Sequence, residues 1–112
     1  MAYSIKISLT RRLLFLMNAT SVVRTYPVGV GKAATATPTG KYQIVSKVRN
    51  PGGPFGAIWM GLSEPHYGIH GTNNPTSIGG AVSKGCIRMH NRDALELAGM
   101  IAIGTTVIIQ AY

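Results

Sequence analysis

Acidic side chains are almost missing from this chain. Asp and Glu total three, against eleven Lys and Arg, for a formal net charge of +8 over 112 residues. A surface of that sign favours polyanions: nucleic acid, an anionic membrane or an anionic cell wall. The basic residues are spread from Lys6 to Arg92, with no run longer than Arg11-Arg12. No clustered basic helix or interleaved aromatic–basic face supports nucleic-acid binding. Cysteine is nearly absent too. Cys86 alone cannot form an internal disulfide, so cysteine content says nothing about redox compartment.

Long apolar runs are also lacking, and none approaches the roughly 20 residues of a membrane-spanning helix. "RRLLFLMNA" (11–19) imitates a signal peptide, but its apolar centre, Leu13–Met17, is shorter than the roughly 7–15 residues such a segment needs. It reads as a strand, and no signal peptide is legible. Repeats, low-complexity tracts and interdomain linkers are missing as well. The length is that of one domain, residues 1–112, large enough to bury its own core.

What is present is strand pattern broken by glycine and proline. "YSIKISL" (3–9) alternates, with Ile5, Ile7 and Leu9 on one face. "LLFLM" (13–17) and "VVRTYPVGV" (22–30) come next after short polar turns, which predicts a β-meander. "KYQIVSKV" (41–48) reads as a strand with Tyr42, Ile44, Ser46 and Val48 on one face. "NPGGPFG" (50–56) is a turn. "AIWMGL" (57–62), "YGIHG" (67–71) and "VIIQA" (107–111) complete the strands. The helix begins near Asn91, a good N-cap, with Asp93 in the first turn and Ala94, Leu95, Leu97 and Ala98 on the apolar face. The loop "GKAATATPTG" (31–40) contains Gly-Lys pairs. Neither Lys32 nor Lys41 is followed by Ser or Thr, and the first glycine of a phosphate loop is missing.

Chemistry concentrates in "PHYGIHG" (65–71) and "AVSKGCIRMHN" (81–91). His66-x3-His70 and Cys86-x3-His90 have zinc-like spacing. On extended chain, however, four residues span about 13 Å, and the glycines and proline around His66 and His70 make poor helix. No metal is expected. Cys86 is then either a small buried hydrophobe or a nucleophile. Its glycine turn, the flanking cations Lys84 and Arg88, and the nearby helix start all favour thiolate, without excluding burial. A nucleophilic cysteine needs a base. His70, next to glycines in "GIHGT" that let the backbone approach closely, is the best candidate; His66 reads as exposed and His90 as a surface residue beside the helix cap. With Glu64, Asp93 and Glu96 the only acids, a backbone carbonyl such as that of Gly71 is left to orient the imidazole.

"YGIHGTN" followed by "SKGCIRMHNRDA" resembles the L,D-transpeptidase catalytic domain of the YkuD type. "YPVGVGK…TPTGKYQI", "GPFGAIWMGLS", "SIGGAVS" and "GTTVII" resemble segments of that family in the same order, over about residues 3–110. The resemblance implies a mainly β, sandwich- or barrel-like domain with one short helix after the cysteine. It implies Cys86 as nucleophile, His70 as base and the Gly71 carbonyl as its support. The amides of Lys84, Gly85 and Cys86 would form an oxyanion hole, and Arg88, Lys84 and Ser83 would contact substrate. One departure stands out: Lys84 occupies a position where the family often has His. The implied reaction joins peptidoglycan stems by 3→3 cross-links, releasing D-alanine through a cysteine acyl-enzyme. Water as acceptor would make the protein an L,D-carboxypeptidase, and a catalytically silent wall-binding module is the remaining alternative. No cofactor is implied. Stem peptides and carbapenems are the expected partners, no nucleic acid is, and the chain is expected to be a monomer. The substrate implies an extracytoplasmic location, in the cell wall or a spore cortex.

Overall fold

The alternation of Ile5 and Ile7 with polar neighbours builds β1 (Tyr3–Ser8), whose two isoleucines are fully buried. In the computed structural model, which describes residues 2–112, β1 pairs antiparallel with β2 (Leu13–Asn18), and β2 with β3 (Ser21–Gly31). This is the expected meander. The remaining strands pair over longer range. The last strand, β9 (Thr106–Gln110), inserts between β1, to which it is parallel, and β4 (Gly40–Arg49), to which it is antiparallel. β4 continues to β5 (Ile58–Leu62), and β5 to β6 (Gly68–His70).

Two short strands complete the sheet, and neither is legible as a strand in the sequence. β8 (Ile87–Met89) runs parallel to β6 and antiparallel to β3 at Val28–Gly29. Because β3 also pairs with β2, the order β2-β1-β9-β4-β5-β6-β8-β3 closes on itself. Closure leaves those strands no open edge. β7 (Ala81–Ser83) attaches outside this ring, parallel to the end of β3. The enclosed core includes Leu14, Leu16, Ile44, Met60, Ile69, Ile87, Val107 and Ile109.

One helix, α1 (Asn91–Met100), packs on β5 and β6 through Ala94, Leu97 and Ala98. Leu95, expected on its apolar face, is 40% exposed. The buried stripe is narrower than the run of apolar residues suggested. His90, not Asn91, occupies the cap position, and Asp93 lies in the first turn as expected.

The expected face of β4 is also wrong beyond Ile44. A bulge places one extra residue between Ile44, opposite Leu62, and Ser46, opposite Gly61. The alternation therefore flips. Val48 is 48% exposed, and Lys47 turns toward the core side, opposite buried Met60. Its Nζ donates to the Ala98 carbonyl at 2.8 Å and to the Ile101 carbonyl, both at the end of α1. A cation on carbonyls that the helix leaves unpaired is favourable both as a hydrogen-bond donor and toward the helix dipole. Lys47→Met is expected to cost about 1–3 kcal/mol, read as a fall in the thermal midpoint of unfolding. An unchanged midpoint would show that these contacts add nothing.

Candidate active site

Strand register assembles the site. Trp59 on β5 pairs with His70 on β6, which pairs with Arg88 on β8. Paired residues on neighbouring strands project to the same side, so the three side chains stand in a row across the sheet. Ile69 and Ile87, one step along, project to the other side and are fully buried. Cys86 lies two residues before Arg88 and shares its side. A cleft of about 360 Å³ is lined by His70, Ser83, Lys84, Cys86 and Arg88, with Pro54 and Phe55 as its apolar wall.

His70 is buried, 3% exposed. It stacks on Trp59 with centroids 5.6 Å apart and meets Phe55 edge-on at 5.1 Å. Its Nδ1 lies 2.5 Å from the Gly71 carbonyl oxygen. A carbonyl can only accept, so Nδ1 carries the proton and Nε2 keeps its lone pair. Burial holds the imidazole pKa below the usual 6.5, and the Arg88 charge acts in the same direction, against the Gly71 hydrogen bond. The neutral form is therefore favoured.

Cys86 is half-buried, in the turn between β7 and β8. Its Sγ lies 3.5 Å from the His66 carbonyl oxygen. Burial pushes its pKa above the usual thiol value, opposed by a backbone hydrogen bond from Gly68 and by the Arg88 charge. This reverses the expectation of a thiolate. The flanking cations look decisive along the chain, but desolvation of the sulfur is the larger effect once the fold is closed. Both shifts favour the uncharged forms, thiol at Cys86 and imidazole at His70.

The turn itself is held by residues the sequence does not single out. Thr37, buried in the small-residue loop 31–40, donates to the Gly85 carbonyl at 2.7 Å and accepts from the Gly31 amide at 3.1 Å. Thr35 Oγ1 and the Lys32 amide both donate to the Ser83 carbonyl. The loop that looked like a failed phosphate site is a cradle for the cysteine turn. A Thr-x-Thr so close to a strand end was its only signal. Gly85 has φ +123°, and a Cβ there would strike the Tyr67 ring. Only glycine meets both demands.

Two expectations change here. Ser83 Oγ donates to the Cys86 carbonyl at 2.6 Å and accepts from the Gly85 amide at 3.1 Å. The hydroxyl's only proton is therefore spent within the turn, and toward substrate it can only accept. The same contact engages the Gly85 amide, which leaves Lys84 and Cys86 as the expected oxyanion donors. Lys84 is exposed at the cleft wall. His66 is exposed, in a turn with φ +72°, and His90 caps α1. Among the described residues no three His, Cys, Asp or Glu side chains gather as a metal centre would need.

Comparison with known proteins identifies the family and the fold. The L,D-transpeptidase catalytic domain family, YkuD, matches residues 2–109. YkuD of Bacillus subtilis is 58% identical over 107 residues, which are 96% of this chain and 65% of that protein. The chain thus spans about two thirds of the length of that curated relative. The catalytic domain of the Enterococcus faecium L,D-transpeptidase, solved by NMR, superposes with a TM-score of 0.84 at 23% identity, covering 98% of each chain. LdtMt1, an L,D-transpeptidase solved in complex with imipenem, gives 0.84 at 20% identity, covering 97% of this chain and 59% of its own. These two share the fold; the sequence relatives carry the family. The cleft with its cysteine and carbonyl-tied histidine sits on the L,D-transpeptidase fold, and the chain belongs to the L,D-transpeptidase catalytic domain family.

Proposed function

We propose that this site forms 3→3 cross-links between peptidoglycan stems through an acyl-enzyme on Cys86. The supporting observation is His70: its Nδ1 proton is tied to Gly71, so a free Nε2 lone pair stands in the same cleft as Cys86. Nε2 takes the thiol proton as Sγ attacks the carbonyl of the diamino acid at position three of a tetrapeptide stem. The tetrahedral oxyanion forms against the Lys84 and Cys86 amides, where each donor is worth about 3 kcal/mol. The C–N bond to D-alanine breaks, and the imidazolium returns the proton to the leaving amine. An acceptor side-chain amine then attacks the thioester, giving up its proton to Nε2, and Sγ leaves as thiol. Substrate places the reaction outside the cytoplasmic membrane.

Arg88 faces the cleft beside both reacting groups, and a guanidinium there pairs with a stem carboxylate. Arg88→Gln is expected to lower kcat/KM about 10-fold or more for a stem with a free carboxylate, and less for the amidated stem. Equal losses on both would remove Arg88 from substrate binding.

The test is incubation with a disaccharide-tetrapeptide. Dimer plus free D-alanine supports transpeptidation. Trimmed monomer alone, at high acceptor concentration, replaces it with L,D-carboxypeptidase activity on the same cysteine. Salt-sensitive binding to peptidoglycan without turnover, unaffected by Cys86→Ala, would reduce the chain to a wall-binding module.

A further inference from the structure

Asn91 is the first residue of α1, yet the bonds its side chain makes all go to residues outside the helix. The carboxamide instead reaches two other segments. Oδ1 accepts from the Ala57 amide at 3.0 Å and from the Thr72 amide at 3.0 Å. Nδ2 donates to the Thr72 carbonyl at 3.1 Å. All three partners are backbone groups, and they engage both the oxygen and the nitrogen of the carboxamide.

The Thr72 amide has a particular place. Its N–H and the Gly71 carbonyl belong to one peptide group, and in a trans peptide they point in opposite directions. The Gly71 carbonyl is the group that holds the His70 Nδ1 proton. The contacts therefore form a line: Asn91 Oδ1, Thr72 N–H, Gly71 C=O, His70 Nδ1–H. Donation at one end of a peptide group strengthens acceptance at the other, by roughly 10–30% per bond. The Gly71 amide is held as well, donating to the Ile58 carbonyl at 3.0 Å. The corner that carries the imidazole's acceptor is thus fixed from two sides.

Space at this corner is reserved for the carboxamide. A Cβ on Gly71 would collide with Asn91 Oδ1, and one on Gly56 would collide with Oδ1 and the Thr72 amide. Glycine at both positions lets one oxygen come within reach of two amides. Asp93, the acid nearest Asn91 in sequence, has no hydrogen bond to His70, whose one ring contact of this kind among the described residues is the Gly71 carbonyl.

We propose that Asn91 is a positioning residue for His70, acting through the Gly71–Thr72 peptide group. It orients that carbonyl toward Nδ1–H and so keeps the Nε2 lone pair directed into the cleft. In a nucleophile–histidine–acid triad the third side chain touches the imidazole directly; here a peptide group transmits the same constraint. The inference rests on His70 being the base of the reaction proposed above.

The experiment is ¹⁵N NMR of the His70 ring in the free protein, combined with the pH dependence of Cys86 acylation by imipenem. Wild type is expected to hold the Nδ1–H tautomer. Asn91→Ala should show a mixture with the Nε2–H tautomer. Its acylation rate constant should fall about 10- to 100-fold, with little change in the imipenem concentration for half-maximal rate. Asn91→Asp retains the accepting oxygens and adds negative charge, so it should restore Nδ1–H and move the acid limb of the rate profile to higher pH. If Asn91→Ala does not fold, the Asp variant carries the test alone. An unchanged tautomer and pH profile, with rate falling only as thermal stability falls, would overturn the proposal and leave Asn91 a structural clamp. If wild type is not acylated at all, the proposed reaction fails while the tautomer still reports on Asn91.

Discussion

Cys86→Ala forms no adduct with imipenem and releases no D-alanine from a tetrapeptide stem. The expected loss is on the order of 10⁴-fold or more, as for other enzymes deprived of their nucleophile. Intact-mass spectrometry reads the first, and amino-acid release the second. Cys86 is the only cysteine, so a mutant that still gains one adduct would move the nucleophile to another residue type. The resting state of the thiol adds a sharper test. Burial raises its pKa, so alkylation by iodoacetamide should be slower at neutral pH than for an exposed thiol and climb into the alkaline range. A rate already level at acid pH would mean a stored thiolate–imidazolium pair instead of a neutral thiol and imidazole.

His70→Ala slows acylation about 10²-fold or more while leaving alkylation at high pH intact, because hydroxide can then supply the thiolate. The ring is packed against Phe55 and Trp59, so His70→Gln, which fills more of that space than Ala, separates lost basicity from lost packing. The sign of the pH dependence comes from the depressed imidazole pKa. The base works only when neutral. Wild-type acylation should therefore be complete at pH values above the depressed pKa and fall as pH drops through it. The acid limb lies below pH 6.5, the ordinary value for histidine. A limb above that value would contradict the burial argument. Acylation that is insensitive to His70→Gln at neutral pH would remove the residue from the reaction.

Local pattern carried a large part of this structure. The alternation of Ile5 and Ile7, and the turns around Arg12 and Ala19, specify a meander because antiparallel neighbours joined by short turns need only nearby residues. Cys86 and His70 were legible for a different reason. Their segments are long and chemically specific, and an isolated thiol between cations needs a base. β7 and β8 were not legible, because three-residue strands give periodicity nothing to act on. Leu95 and Val48 were placed on the wrong faces. In β4 the cause is a single inserted residue, whose presence depends on how β5 lies alongside.

By itself the sequence determined the family and the mainly β class, and it singled out the thiol and the imidazole that the fold brings to one cleft, since each depends on residue type and order. Only the tertiary structure decided their state. The thiol is pushed toward its neutral form by burial, which no neighbouring residue in the chain reveals, and that outweighs the visible charge of Arg88. β9 closes the ring by entering between β1 and β4, a pairing between opposite ends of the chain. Asn91 reads as a helix cap from its neighbours, yet its carboxamide holds amides 34 and 19 residues away. A side chain's choice among hydrogen-bond partners is made in space, after the chain has brought the competing groups together.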